Sequence, residues 1–192
     1  MIQYSNVDTI GQSPQDYPVE WIEQVQLMDG LLVTIRPIRA DDAPRLQAGY
    51  RQLSSQSRYM RFLRTSNELP DQQAYQLANL DYHTQMALVA EIETDQGPTL
   101  IAVARYAMIG PDRPGVAECA VVVGDDIQQR GLGTILMDRL GRYAIGQGIK
   151  LFVGTVHVTN AAMLRFIKRA GLPYERAIVE PGIWEVRVKL GG

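Results

Sequence analysis

The 192-residue sequence predicts one mixed α/β domain, a mostly antiparallel sheet with flanking helices. Three observations lead there. Residues 85–124 hold three apolar, β-prone runs, "QMALVAEIET", "TLIAVARYAMI" and "VAECAVVVG", joined by the turn-formers "DQGP" and "GPDRPG". Two amphipathic helix patterns follow, separated by the strand-like "KLFVGTVHV". A last pair of β-prone runs, "YERAIVE" and "IWEVRVKL", turns at Pro181-Gly182.

Each element has a local reason. Residues 1–20 are rich in Gln, Ser, Asn and Asp without a period, which reads as a surface arm before a single domain over 21–192. "EQVQLMDGLLVTIRPI" places two β-prone runs around Asp29-Gly30, a dipeptide suited to a tight hairpin. Asp41 or Asp42 can cap a helix that tolerates Pro44 in its first turn and buries Leu46, Tyr50 and Leu53. "SSQSRYMRFLR" reads as a second helix capped by Ser54 or Ser55, and "DQQAYQLANL" as a third after Pro70. Leu132, Leu136, Leu140 and Ala144 form the stripe of a fourth helix. Asn160 is placed to open a fifth, which Gly171 closes.

Composition narrows function. Hydrophobic residues make 46% of the chain and charged residues 21%, as in a globular protein rather than a disordered tail. A net charge of −2 gives no electrostatic case for nucleic acid. No apolar run approaches the roughly 20 residues that span a bilayer, so no membrane partner is expected. The opening residues lack a basic head and apolar run, and Cys119 stands alone, so a cytoplasmic setting is expected. One cysteine and two separated histidines, His83 and His157, form no metal cluster by spacing.

The stretch "DDIQQRGLGTILMDRL" joins a strand to a helix through two glycines. Helix starts expose unpaired N–H groups and carry the positive end of the helix dipole, so they attract anions. Gly131 and Gly133 remove Cβ atoms there, while Gln128, Gln129 and Arg130 offer side-chain donors. The plainer reading is a tight turn that lets the helix pack. The spacing fits neither a dinucleotide fingerprint nor a P-loop.

With Gln128-x-x-Gly131-x-Gly133 followed by Asn160 and Gly171 in register, the sequence resembles the GNAT superfamily of acetyl-CoA-dependent acyltransferases over roughly residues 31–190. "DGLLVTIRPIRADDAPRLQ", "LSSQSRYMRFL" and "AECAVVVGDDIQQRGLG" are closest to the acetyltransferase domains of bacterial Pat-type protein lysine acetyltransferases. The resemblance implies a sheet splayed between the family's fourth and fifth strands, here "VAECAVVVG" and "KLFVGTVHV". It implies acetyl-CoA as co-substrate, held by the backbone of Val121, Val122 and Val123, by the loop Gln128, Gln129, Arg130, Gly131, Leu132, Gly133 and Thr134, and by Asn160. It also implies direct attack by an amine, an oxyanion donor near Val123, and Glu118 of the "AE-x-A" element as base. The tyrosine that many members place seven residues after the asparagine is Ile167 here. The expected acceptor is a protein lysine. A small amine or amino acid is the alternative, as is a non-catalytic acyl-CoA sensor, and a homodimer stays open.

Other readings compete at several residues. Glu118 could pair with Arg105 on the neighbouring strand instead of acting as a base. Cys119 in an apolar strand reads as core rather than nucleophile. His157 could face the cleft or sit satisfied in the core. Arg58, Arg61 and Arg64 could hold an acidic acceptor or form a solvated face. Trp21 and Trp184 read as packing or interface residues.

Overall fold

The computed structural model describes residues 17–63 and 66–191. Arg64 and most of the N-terminal arm lie outside them. Eight strands form one sheet: β1 (Glu23–Gln26), β2 (Leu32–Pro37), β3 (Gln85–Thr94), β4 (Gly97–Met108), β5 (Val116–Val123), β6 (Leu151–His157), β7 (Tyr174–Glu180) and β8 (Ile183–Lys189). Their spatial order is β1-β2-β3-β4-β5-β6-β8-β7, and every pairing is antiparallel except β5 with β6. That parallel step needs a crossover, which α4 (Leu132–Gly146) supplies. The remaining helices are α1 (Ala43–Gln52), α2 (Ser55–Phe62), α3 (Asp71–Ala78) and α5 (Ala161–Arg169). No helix among the described residues is long and apolar enough to cross a membrane.

The stripe expected on α4 is buried: Leu132, Leu136, Leu140 and Ala144 pack with Ala104, Tyr106 and Phe152 in the main core. Antiparallel neighbours share a face, so Ala104, Tyr106 and their partners Val121 and Cys119 form this side of β4 and β5. The other face carries Val103, Arg105, Glu118, Ala120 and Val122, under α1, α2 and α3. Burying Arg105 and Arg36 on that side requires partners. Arg36 forks onto Asp42 at 2.7 and 2.8 Å and reaches Glu91 at 2.7 Å, and Asp42 also accepts the Arg39 N–H at 2.8 Å. Asp42 stands at the N-cap position of α1 but its side chain makes no cap hydrogen bond to the helix; it ties the helix start to β2 and, through Arg36, to β3.

Packing begins earlier than the boundary expected at Trp21. The Tyr17 hydroxyl donates to the Pro37 carbonyl at 2.8 Å, and its ring meets Tyr82 at 5.7 Å. Residues 17–20 thus belong with the domain. Trp21 packs edge-on to Tyr143 at 5.1 Å, and Trp184 lies under the Arg176 guanidinium at 4.0 Å.

Candidate active site

The site is a fork in the sheet. β5 and β6 pair only over Val116↔Leu151, Ala117↔Phe152 and Glu118↔Val153, beyond which β6 leaves β5 while staying paired with β8, as it is along its whole length. Gly154 sits at the divergence, where a Cβ would stand 3.1 Å from the Cys119 carbonyl oxygen. Backbone hydrogen bonds from Gly124 N–H to Ile101 and from Ile109 N–H to the Val116 carbonyl show that even-numbered β5 residues bond to β4. By alternation, Val121 and Val123 turn their N–H and C=O groups toward the open fork, while the Cys119 N–H still closes the Glu118↔Val153 bridge. Of the three valines expected to hold a ligand by their backbone, Val121 and Val123 turn to the fork, whereas the groups of Val122 are taken by the β4 ladder and its side chain lies on the α1–α3 face.

At the mouth of the fork the chain makes a compact loop. Gln129 and Gly131 are both left-handed (φ 65° and 88°), and α4 starts at Leu132 without a side-chain cap. Among the described residues, the N–H groups of residues 129–133 have no acceptor, whereas Thr134 and Ile135 bond to the Gly131 carbonyl. Five consecutive open amides at a helix start form an anion cradle. The two glycines do different work. A Cβ at Gly131 would meet nothing, so there the constraint is the positive φ. At Gly133 a Cβ would make only ordinary contact, 3.5 Å from Val123 and 3.8 Å from Phe166, so the fold itself has room for a side chain there. Leu132 contributes only its N–H, its side chain being core.

Two expected donors have partners within the protein. Gln128 turns its amide inward, donating to the Val123 carbonyl at 3.1 Å and to Asp125 at 3.3 Å. Arg130 bonds Asp29 in the β1–β2 turn at 2.5 Å and the Asp126 carbonyl at 2.8 Å. Both brace the loop. Asn160 caps α5, accepting the Met163 N–H at 3.0 Å, and Gly171 follows the helix at φ +69°.

Asp125 was not singled out by the sequence, yet it fixes the wall above the fork. Its carboxylate accepts the Ser54 N–H at 2.7 Å and the Ser57 hydroxyl at 2.5 Å, pinning the start of α2 to the loop. The signal was an acidic pair beside an anion cradle, which needs neutralising partners. Burial opposes the Asp125 charge, but the Ser57 and Ser54 donors hold its pKa below the usual carboxylate value.

Glu118 is half-buried at the last paired position of β5. Burial raises its pKa, and the Arg61 charge opposes that only in part. Among the described ion pairs none joins it to Arg105, whose guanidinium reaches the Leu77 carbonyl at 3.4 Å. Arg58 holds the Leu53 carbonyl and Asn67, so it is a structural residue of α2. His157 bonds Thr159 at 2.7 Å and meets the Tyr59 ring at 5.7 Å across the fork. Cys119 points to the core side, and burial pushes its thiol up to about 12, which removes it as a nucleophile. Among the described residues no group of His, Cys, Asp and Glu could hold a metal ion.

A splayed sheet with an anion cradle at the end of the strand bordering its gap defines an acyl-CoA-dependent transferase of the GNAT kind. The chain belongs to the acetyltransferase (GNAT) family, whose model matches residues 51–172. It is 33% identical over 162 residues to an acetyltransferase of Pseudomonas aeruginosa, covering 83% of this chain and 85% of that protein. It is 33% identical over 152 residues to the acetyltransferase Pat of Mycolicibacterium smegmatis, and spans only 44% of that protein's length. Among solved structures, the GNAT domain of S. lividans PAT superposes with a TM-score of 0.81 at 31% identity, covering 91% of this chain and 99% of that one.

Ile167, where many members carry a tyrosine, is buried in a small cluster with Val156 and Val186. Ile167→Phe should therefore cost about 1–3 kcal/mol of stability by overpacking. Turnover per folded molecule should hold. A collapse of turnover with unchanged melting temperature would give this position a chemical role.

Proposed function

We propose that this acetyltransferase uses acetyl-CoA to acetylate a protein lysine, with Glu118 as the base. The carrying observation is that a half-buried carboxylate of raised pKa stands where the β5–β6 ladder ends and the free edge of β5 begins. The lysine reading is supported by the Pat-like motifs of the sequence and by the similarity to S. lividans PAT.

The residues present fit acetyl-CoA. The open amides of residues 129–133 suit a pyrophosphate, and the fork-facing groups of Val121 and Val123 suit an amide-bearing arm. Bound there, acetyl-CoA supplies an activated acyl carbon. Lysine amines are mostly protonated near neutral pH, so a proton must leave before nitrogen attacks. Glu118 accepts it, directly or through one water. A backbone N–H of the fork edge then steadies the developing oxyanion. Val123, expected in that part, stands five residues or about 16 Å along the strand from Glu118, too far to share one reacting centre. Val121, about 10 Å along, is the nearest open donor, because the parallel Glu118↔Val153 bridge takes the Cys119 N–H. The new C–N bond forms as the C–S bond breaks, and no side chain at position 167 protonates the departing thiolate.

Gly133→Val tests the cradle. It should leave the fold largely intact but weaken acetyl-CoA binding by roughly tenfold or more, about 1.4 kcal/mol. Unchanged affinity by calorimetry in a folded variant would reduce the glycine to packing. The reading as a whole is tested by thiol release from acetyl-CoA against a panel of small amines and lysine-bearing proteins, with acetylated products identified by mass spectrometry. Product on small amines alone would overturn the lysine assignment.

A further inference from the structure

The reaction above leaves one proton without a source. A thiolate departs into the fork, and Ile167, buried with Val156 and Val186, has no proton to give it. Two polar side chains of the fork take part in no step so far. Tyr59 on α2 and His157 at the end of β6 meet across the gap, their ring centroids 5.7 Å apart and their planes at 63°.

Strand spacing says where along the fork they meet. Glu118 pairs with Val153, and β6 runs on in the same direction as β5, so His157 lies about 13 Å along from that pair. Val121 and Val123 lie about 10 and 16 Å along β5. His157 is therefore level with the stretch between them, on the facing strand. The open amides of the cradle stand at the mouth, beyond Val123, so a coenzyme held there enters from that end. With its acyl oxygen at the Val121 N–H, the next atom toward the mouth is the thioester sulfur. Sulfur and the Tyr59–His157 pair then share one level.

Their bonding decides which of the two has a proton to give. His157 is committed: its Nδ1 accepts the Thr159 N–H at 3.3 Å and stands 2.7 Å from the Thr159 hydroxyl. Those bonds fix the imidazole against which the Tyr59 ring rests. On α2, the Ser57 hydroxyl is taken by Asp125 and the Arg58 guanidinium by the Leu53 carbonyl. The Tyr59 hydroxyl has no hydrogen-bond partner among the described residues, and the residue is 38% exposed. A phenol and an alkyl thiol have similar acidity in water, so a proton passes between them without a large driving force either way.

We infer that Tyr59 is a catalytic residue that protonates the departing sulfur, and that His157 is a positioning residue for its ring. The inference rests on the acetyl-transfer reading and supplies the acid it lacks. Glu118 takes one proton from the ammonium. Attack forms the C–N bond, and the C–S bond breaks with its electron pair on sulfur. The Tyr59 O–H gives that sulfur its proton, and coenzyme A leaves as the thiol. The amide nitrogen sheds its remaining extra proton to water, and water returns one to the phenolate. An acid carried by α2 leaves position 167 on α5 free to be apolar.

The test uses Tyr59→Phe in the full chain, which keeps the ring and its contact with His157 but removes the hydroxyl. At so exposed a position the melting temperature should stay within about 2 °C of the parent. With acetyl-CoA and one amine, kcat should fall roughly tenfold or more while KM for acetyl-CoA stays within about twofold. Contact with sulfur is read separately, by calorimetry with coenzyme A and with desulfo-coenzyme A. The parent should bind coenzyme A roughly threefold or more tighter than the desulfo form, the size of one hydrogen bond, and Tyr59→Phe should bind the two alike. His157→Ala should narrow the same margin and His157→Phe, which restores a ring, should recover it. Parent-level kcat in Tyr59→Phe would overturn the inference and leave acetyl transfer standing. A lowered kcat with the margin for sulfur intact would overturn it too. Failure of the parent to bind coenzyme A in either form would remove the acetyl-transfer reading and this one with it.

Discussion

Glu118→Gln is expected to lower turnover by roughly 10²-fold or more near neutral pH while acetyl-CoA affinity stays within about twofold. Glutamine keeps the size and much of the polarity but accepts no proton. The carboxylate lies on the α1–α3 face of β5, whereas the groups proposed to hold the coenzyme are backbone edges and loop amides, so binding has no reason to change. The deficit should shrink at alkaline pH, where free amine is present without a base. In the parent enzyme, activity should fall on the acid side at a pH above the ordinary glutamate range, because burial raises the Glu118 pKa.

The same shift has a stability consequence of opposite sign to the loss of activity. The folded pKa of Glu118 lies above its unfolded value, so its contribution to stability is full below the unfolded pKa and lost as pH rises through the folded one. Glu118→Gln should accordingly raise the melting temperature at neutral pH and gain less in acid. Parent-level turnover in this variant at neutral pH, measured with saturating acetyl-CoA, would sink the assignment and turn attention to His157.

Much of this arrangement was legible in the sequence because it is local. The α4 stripe, the three-strand meander, the Ser54 cap and the Asn160 cap all follow from residues within a few positions of one another. Glu118 stood out because a charge in "VAECAVVVG" needs a reason. What escaped was long-range. The loop's brace pairs Arg130 with Asp29, 101 residues away, and α2 is held by Asp125 across about 70 residues. Side chains at Gln128 and Arg130 were assigned to a ligand from the helix-start argument and the motif, and their bonds to Val123, Asp125 and the Asp126 carbonyl depend on a loop shape that the sequence does not spell out. The misplacement of Val122 has a different origin, since a strand has two edges as well as two faces. The hydrogen bonds from Gly124 to Ile101 and from Ile109 to Val116 fix which residues turn toward the fork.

The Arg36–Asp42–Glu91 cluster was equally invisible, and it carries the largest stability effect. Asp42 has a fully buried side chain, holding both prongs of Arg36 and the Arg39 N–H. Asp42→Ala would leave Arg36 buried with Glu91 as its remaining carboxylate, at 2.7 Å. Breaking a buried pair from one side typically costs about 3–5 kcal/mol. In a chain of this size that corresponds to a fall of roughly 6–20 °C in melting temperature. Burial alone would raise the Asp42 pKa, but the Arg36 and Arg39 donors win and hold it below the ordinary value. Its contribution is therefore present above the unfolded pKa and lost as pH falls through the folded one. The parent should lose stability in acid faster than Asp42→Ala, and the two melting curves should converge there. Acetyl-CoA affinity of the folded variant should be unchanged, because the cluster joins β2, β3 and α1 while the cradle lies at the start of α4. A melting temperature within about 2 °C of the parent at neutral pH would show that Glu91 and solvent satisfy Arg36 on their own.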